Sequence, residues 1–131
     1  MSLQIGDTAS LSKKITDRDI RAFAELTGDY NLAHLDEDFA QNTKFGRRVA
    51  HGMLSASLIS AVIGTKLPGG KIASLGNTAR FLAPVYVDDT VTARVTVQGI
   101  RADKPVITLS TVCENQRGER VVEGEAVVLL L

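Results

Sequence analysis

The spacing of apolar residues divides this chain into a helical first half and a β-rich second half. Gly6-Asp7 reads as a turn leading into a first strand at about Thr8–Ile15. Thr16 is a good N-cap, and Asp17 and Asp19 fall in the first helical turn, where negative charge suits the helix dipole. Ile20, Phe23, Ala24 and Leu26 follow near helical spacing until Gly28 stops the run. Asp29–Leu35 reads as a loop, Asp36–Gln41 as a short helix and Phe45-Gly46 as a turn. From His51 to about Lys66 the chain is apolar almost all round, with Met53, Leu54, Ala56, Leu58, Ile59, Ala61, Val62 and Ile63. Ser55, Ser57 and Ser60 are small enough to pack among them. Such a helix is expected to be buried on every face. Pro68-Gly69-Gly70 ends it.

The remainder alternates. Lys71–Phe81 reads as one strand closed by Ala83-Pro84. Over Thr90–Ile100, Val91, Ala93, Val95 and Val97 point one way, and Thr92, Arg94, Thr96 and Gln98 the other. Val106–Glu114 and Arg120–Leu131 complete four strands expected in antiparallel succession after the long helix, the last three joined by turns at Arg101–Pro105 and Asn115–Glu119. The expected fold class is α+β: one domain over residues 1–131, a five-stranded antiparallel sheet wrapped around a single long buried helix.

Composition narrows the function. The chain has 131 residues, 44% of them hydrophobic, which suffices for one proper core. Lys plus Arg number 15 and Asp plus Glu 15, so no excess charge points to nucleic acid or a membrane surface. The apolar region around Met53–Ile63 is too short to span a bilayer. No basic segment with an apolar run follows Met1, so a cytoplasmic location is expected. The lone Cys113 excludes an internal disulfide and reads as a small core residue. Two histidines and one cysteine, widely spaced, do not make a ligand set, so no metal is expected.

The chemistry concentrates between Phe23 and Leu54. Gly28-Asp29-Tyr30-Asn31-Leu32-Ala33-His34 offers a carboxylate and an imidazole five residues apart. Ala50-His51-Gly52-Met53-Leu54 offers a free backbone N–H at a helix start. A proton-transfer pair facing an anion-stabilising helix end suits chemistry on a polarised carbonyl. Taken singly, Asp29 also fits a helix-stop Asx turn, and Gly52 a tight turn into the helix.

The run Phe23-Ala24-x-x-Thr27-Gly28-Asp29-x-Asn31-x-x-His34-x-Asp36, followed by Ala50-His51-Gly52-Met53-Leu54, resembles the hydratase motif of the MaoC-like, hot-dog-fold (R)-specific enoyl-CoA hydratases. Phe81-x-x-Pro84-Val85-x-x-x-Asp89-x-Val91 and Glu123-Gly124-Glu125-Ala126 extend the resemblance over nearly the whole chain. One position departs: that family has proline where Leu32 stands, and leucine leaves the loop freer and adds bulk. The resemblance implies addition of water to a trans-2-enoyl-CoA, giving a (3R)-hydroxyacyl-CoA. No cofactor is implied beyond the CoA of the substrate.

The same resemblance assigns roles. Asp29 is the general base on the water, and His34 orients that water and shares the proton traffic. Gly52 is the oxyanion donor, and Asn31 braces the loop or holds substrate. Ser60 supports Asp29 or is simply a small core serine, and His51, read from its own position, is a structural residue at the helix start. Lys44, Arg47 and Arg48 either meet the CoA phosphates or form a solvated charge run. Alternatives are a hot-dog thioesterase, a non-catalytic acyl-CoA-binding domain, and dehydration of carrier-protein substrates on the same site. A homodimer is expected, paired through the strand near Ile72–Phe81.

Overall fold

A computed structural model describes residues 2–131. In chain order the elements are β1 (Thr8–Lys14), α1 (Asp17–Thr27), α2 (Leu32–Leu35), α3 (Glu37–Gln41) and α4 (Gly52–Thr65), then β2 (Ile72–Asn77), β3 (Arg80–Phe81), β4 (Thr90–Ile100), β5 (Val106–Glu114) and β6 (Arg120–Leu130). All strand pairs are antiparallel, in the order β1-β4-β5-β6-β2, with β3 also on β6.

The local rules hold in α1. Thr16 and Asp19 form a reciprocal capping box, and Gly28 closes the helix at φ 82°. Val91, Ala93, Val95 and Val97 of β4 are all buried, and they meet Leu58, Ile59, Val62 and Ile63 of α4 in one core with Ile107 and Leu109 of β5. Cys113 lies in that core, and burial pushes its thiol up to about 12.

Three expectations need correction. The strand expected over Lys71–Phe81 is two pieces, β2 and β3, so five sheet positions carry six strands. The break has a cause on the facing strand. An ideal Cβ on Gly124 would lie 1.9 Å from the Thr78 carbonyl oxygen, so the Thr78–Ala79 backbone presses on β6 where no side chain intervenes. The sheet order is also not sequential after α4, because β2 crosses to the far side of β6. Finally, α4 is buried on one side only. Leu54, Ser55, Leu58, Ile59, Val62 and Ile63 face the sheet, while Gly52, Met53, Ser57 and Ser60 are exposed. One curled sheet covers one side of a helix.

Candidate active site

Three segments distant in sequence meet at the start of α4. The first follows α1. The Asp29 carboxylate accepts from the Asn31 amide at 3.3 Å, an Asx turn. The Asn31 side chain then accepts from the Ala33 amide at 2.9 Å and caps α2. His34 rides on this four-residue helix. Its Nδ1 bonds the Val49 carbonyl at 2.7 Å. A carbonyl only accepts, so Nδ1 carries the hydrogen and Nε2 is left with a lone pair.

The second segment is Arg48–His51. Val49 bridges to Tyr86, and the Ala50 amide donates to the Val85 carbonyl at 2.7 Å. These bonds hold His51 at the N-cap of α4, where it makes no side-chain capping bond. Its ring is 2% exposed and stacks on His34, with centroids 3.9 Å apart and planes at 30°. One carboxylate oxygen of Asp29 and one nitrogen of each histidine all lie within 4.8 Å of one another.

The third segment, Phe81–Tyr86, forms the opposite wall of a cavity of about 690 Å³. Asp29, His34, His51, Gly52 and Ser55 line the other side. The wall is anchored by the buried Asp89, whose carboxylate accepts from the Tyr86 amide at 2.9 Å and from Gln116 at 2.8 Å. Phe81 leans over Gly52, since an ideal Cβ there would lie 2.7 Å from two ring carbons. Only glycine admits the ring so close. Gly52 is the first residue of α4, and its amide is one of those without an intrahelical partner.

The electrostatics suit a proton acceptor. Burial is the largest effect on His34 and pushes its pKa below the ordinary value of 6.5. The bond to the Val49 carbonyl opposes this, the neighbouring His51 adds to it, and Asp29 opposes it. The ring is therefore held neutral at neutral pH.

A model of the MaoC-like domain matches residues 4–116. The chain belongs to the MaoC-like domain family. It is 50% identical over 125 residues to an (R)-specific enoyl-CoA hydratase of Rhodospirillum rubrum, covering 95% of this chain and 86% of that protein. It is 47% identical over 129 residues to an (R)-specific enoyl-CoA hydratase of Aeromonas caviae, covering 98% and 96%. The solved structure of the (R)-hydratase from A. caviae involved in PHA biosynthesis superposes with a TM-score of 0.96, over 99% of this chain and 98% of that one. The fold is accordingly the hot-dog fold.

Within this MaoC-like frame Asp29, His34 and Gly52 come together as the sequence suggests, His51 joins them, and two other candidates do not. The Asn31 side-chain oxygen caps α2, which is the loop-bracing alternative of the two expected for it, and Asn31 does not line the cavity. Ser60 is exposed and lines a second cavity of about 500 Å³ with Ala56, Ile59 and Thr111. It lies eight residues along α4 from Gly52, and at 1.5 Å per residue that is about 12 Å. Within one chain it makes no hydrogen bond to Asp29. The serine of α4 that does line the first cavity is Ser55, whose hydroxyl, like His51 Nδ1, is buried without a protein partner.

The basic run also divides. Arg48 is structural, with its Nε donating to the His34 carbonyl at 2.7 Å and its guanidinium paired with Asp17. That pairing, ahead of Arg21, holds the Asp17 carboxyl below its ordinary value. Arg47 stacks on the Tyr86 ring at 3.8 Å, and Lys44 lines the cavity.

Asp29, His34 and His51 form a grouping that spacing along the chain did not reveal, with atoms close enough to hold a metal ion. His34 Nδ1 and His51 Nε2 are both engaged by main-chain carbonyls, which leaves His34 Nε2 and His51 Nδ1 as the free ring nitrogens. Sequence reasoning missed the cavity wall of Phe81–Tyr86, although Phe81, Pro84, Val85 and Asp89 are the positions by which the later part of the chain resembles the family.

Proposed function

We propose that this protein is an (R)-specific enoyl-CoA hydratase, with Asp29 and His34 as the catalytic pair and Gly52 as the oxyanion donor. The observation that carries the reading is the pairing of two acceptors in one cavity. The Asp29 carboxylate and the His34 Nε2 lone pair each accept one hydrogen of a single water, which turns that water's own lone pairs toward C3 of a bound enoyl thioester. The water oxygen bonds C3, and the pair takes one of its protons. The double-bond electrons move toward the thioester oxygen, where the Gly52 amide and the α4 dipole stabilise the charge. The pair then returns a proton to C2. The balance is one water added, and the steps run equally in reverse. The two groups act as a unit in this traffic.

No cofactor enters the scheme, and CoA arrives as part of the substrate. The similarity to named (R)-specific enoyl-CoA hydratases at 47–50% identity supports the choice of reaction. A thioesterase would not need both acceptors on one water, and a non-catalytic acyl-CoA-binding domain would need neither. Among the described residues no helix is long and apolar enough to cross a membrane.

The working form is a homodimer. β2 is the last strand of the sheet and pairs on one side only, and Met53, Leu75 and Phe81 are large apolar side chains left exposed on α4, β2 and β3. A second copy covers these residues, and a monomer by light scattering at working concentration contradicts that.

The reading is tested with crotonyl-CoA. The purified protein is expected to consume the enoyl absorbance and to form the 3R product in a chiral assay. Thiol release without enoyl loss would overturn it in favour of a thioesterase.

A further inference from the structure

His51 occupies a helix N-cap, a position that favours Ser, Thr, Asp or Asn, and it does not cap the helix. Its side chain goes elsewhere. His51 Nε2 bonds the Asp29 backbone carbonyl at 3.0 Å, across 22 residues of sequence. Because a carbonyl only accepts, Nε2 carries the hydrogen and Nδ1 does not need one. The other side of the arrangement is the stack. His51 lies against His34 at 3.9 Å, and against Phe23 at 4.9 Å, tilted by 54°. One buried imidazole thus touches the main chain of one proposed reacting residue and the ring face of the other.

We infer that His51 is a positioning residue for the hydration step, which sets Asp29 through its carbonyl and His34 through ring contact, and that its Nε2–H tautomer is what the reaction requires. The argument is geometric. Asp29 is exposed and sits in a turn after a glycine in the left-handed region, so its local structure alone does not fix the carboxylate. The turn's own bond, from the Asn31 amide to Oδ1, is long at 3.3 Å. The bond from His51 joins this turn to the start of α4, which is the element that presents Gly52. Acid–base pair and oxyanion donor are therefore registered to one another through a single side chain. His34 is braced from two sides, by the Val49 carbonyl at Nδ1 and by the His51 ring on its face. Misplacement of a reacting group by about 1 Å can cost on the order of 10²-fold in rate.

The inference rests on the hydratase reading for its kinetic readout, and it is tested with two variants and one measurement on the wild-type protein. His51→Phe keeps the ring and the stack and removes the donor. His51→Gln places an amide N–H near the Nε2 position and restores the donor. With crotonyl-CoA, His51→Phe is expected to lower kcat on the order of 10²-fold with KM nearly unchanged, and His51→Gln to recover at least tenfold of that loss. Wild-type kcat in His51→Phe would overturn the inference. Equal losses in both variants, in step with their melting temperatures, would also overturn it and make His51 purely structural. Should His51→Phe fail to fold, the tautomer still decides. Long-range proton–nitrogen NMR of the wild-type protein is expected to show His51 with hydrogen on Nε2 and His34 with hydrogen on Nδ1, and the opposite tautomer at His51 contradicts the positioning bond. A wild-type protein that does not hydrate crotonyl-CoA would count against the hydratase reading, and the NMR result would stand apart from it.

Discussion

Gly52 does two jobs that one substitution pair can separate. It supplies an unpartnered amide at the first position of α4, and it leaves room for the Phe81 ring. Gly52→Ala retains the amide and pushes the ring aside. Gly52→Pro removes the amide at a helix position where proline is well tolerated. If the amide stabilises the thioester oxygen, Gly52→Pro loses a further factor of about 10²–10³ in kcat beyond Gly52→Ala. Equal activity in the two variants would place the oxyanion donor elsewhere. His34 makes a prediction in pH. Burial disfavours its charged form, so the neutral ring persists below the ordinary value of 6.5. The neutral ring is the acceptor in the proposed step, so kcat/KM is expected to hold as pH falls to 6.5 and to drop only below it. An acid limb centred above 6.5 would mean that His34 is not desolvated, and activity that rises as pH falls would mean that it reacts as a cation.

At the scale of elements, α2 explains the one departure from the family motif. Leu32 is the first residue of this helix, where a proline costs no hydrogen bond. Asn31 before it has ψ 127°, the extended conformation that a following proline prefers. Leu32→Pro is therefore expected to keep activity and to raise stability by about 0.4–1 kcal/mol, and a lower melting temperature would contradict this. The α2 helix was not legible in the sequence because four residues show no period. The capping box of α1, the stop at Gly28 and the alternation of β4 were legible, because each is set by residues adjacent in the chain. The stack of His51 on His34 and the division of Lys71–Phe81 into β2 and β3 were not, because both depend on what the fold brings from elsewhere. The exposed side of α4 escaped for a related reason: an all-apolar pattern shows that a helix can be covered, and the sheet decides on which side.

For the whole molecule, the sheet's work is to bring β6 under the β2–β3 corner and to hold the Phe81–Tyr86 wall across from Asp29. Gly124 is the point of closest approach. Gly124→Ala places a methyl group against the Thr78 carbonyl, and it is expected to cost at least about 1–3 kcal/mol in denaturant unfolding. An unchanged unfolding midpoint would show that the corner can yield. The closed fold gathers three remote segments around one cavity, so its reacting groups are expected to fail together. The most direct test is a double-mutant cycle on Asp29→Asn and His34→Gln, measured as kcat with crotonyl-CoA. If both side chains hold the same water, each single variant loses on the order of 10²–10⁴-fold, and the double variant is about as slow as the slower single one. Losses that multiply in full would mean two independent groups and would contradict the shared water.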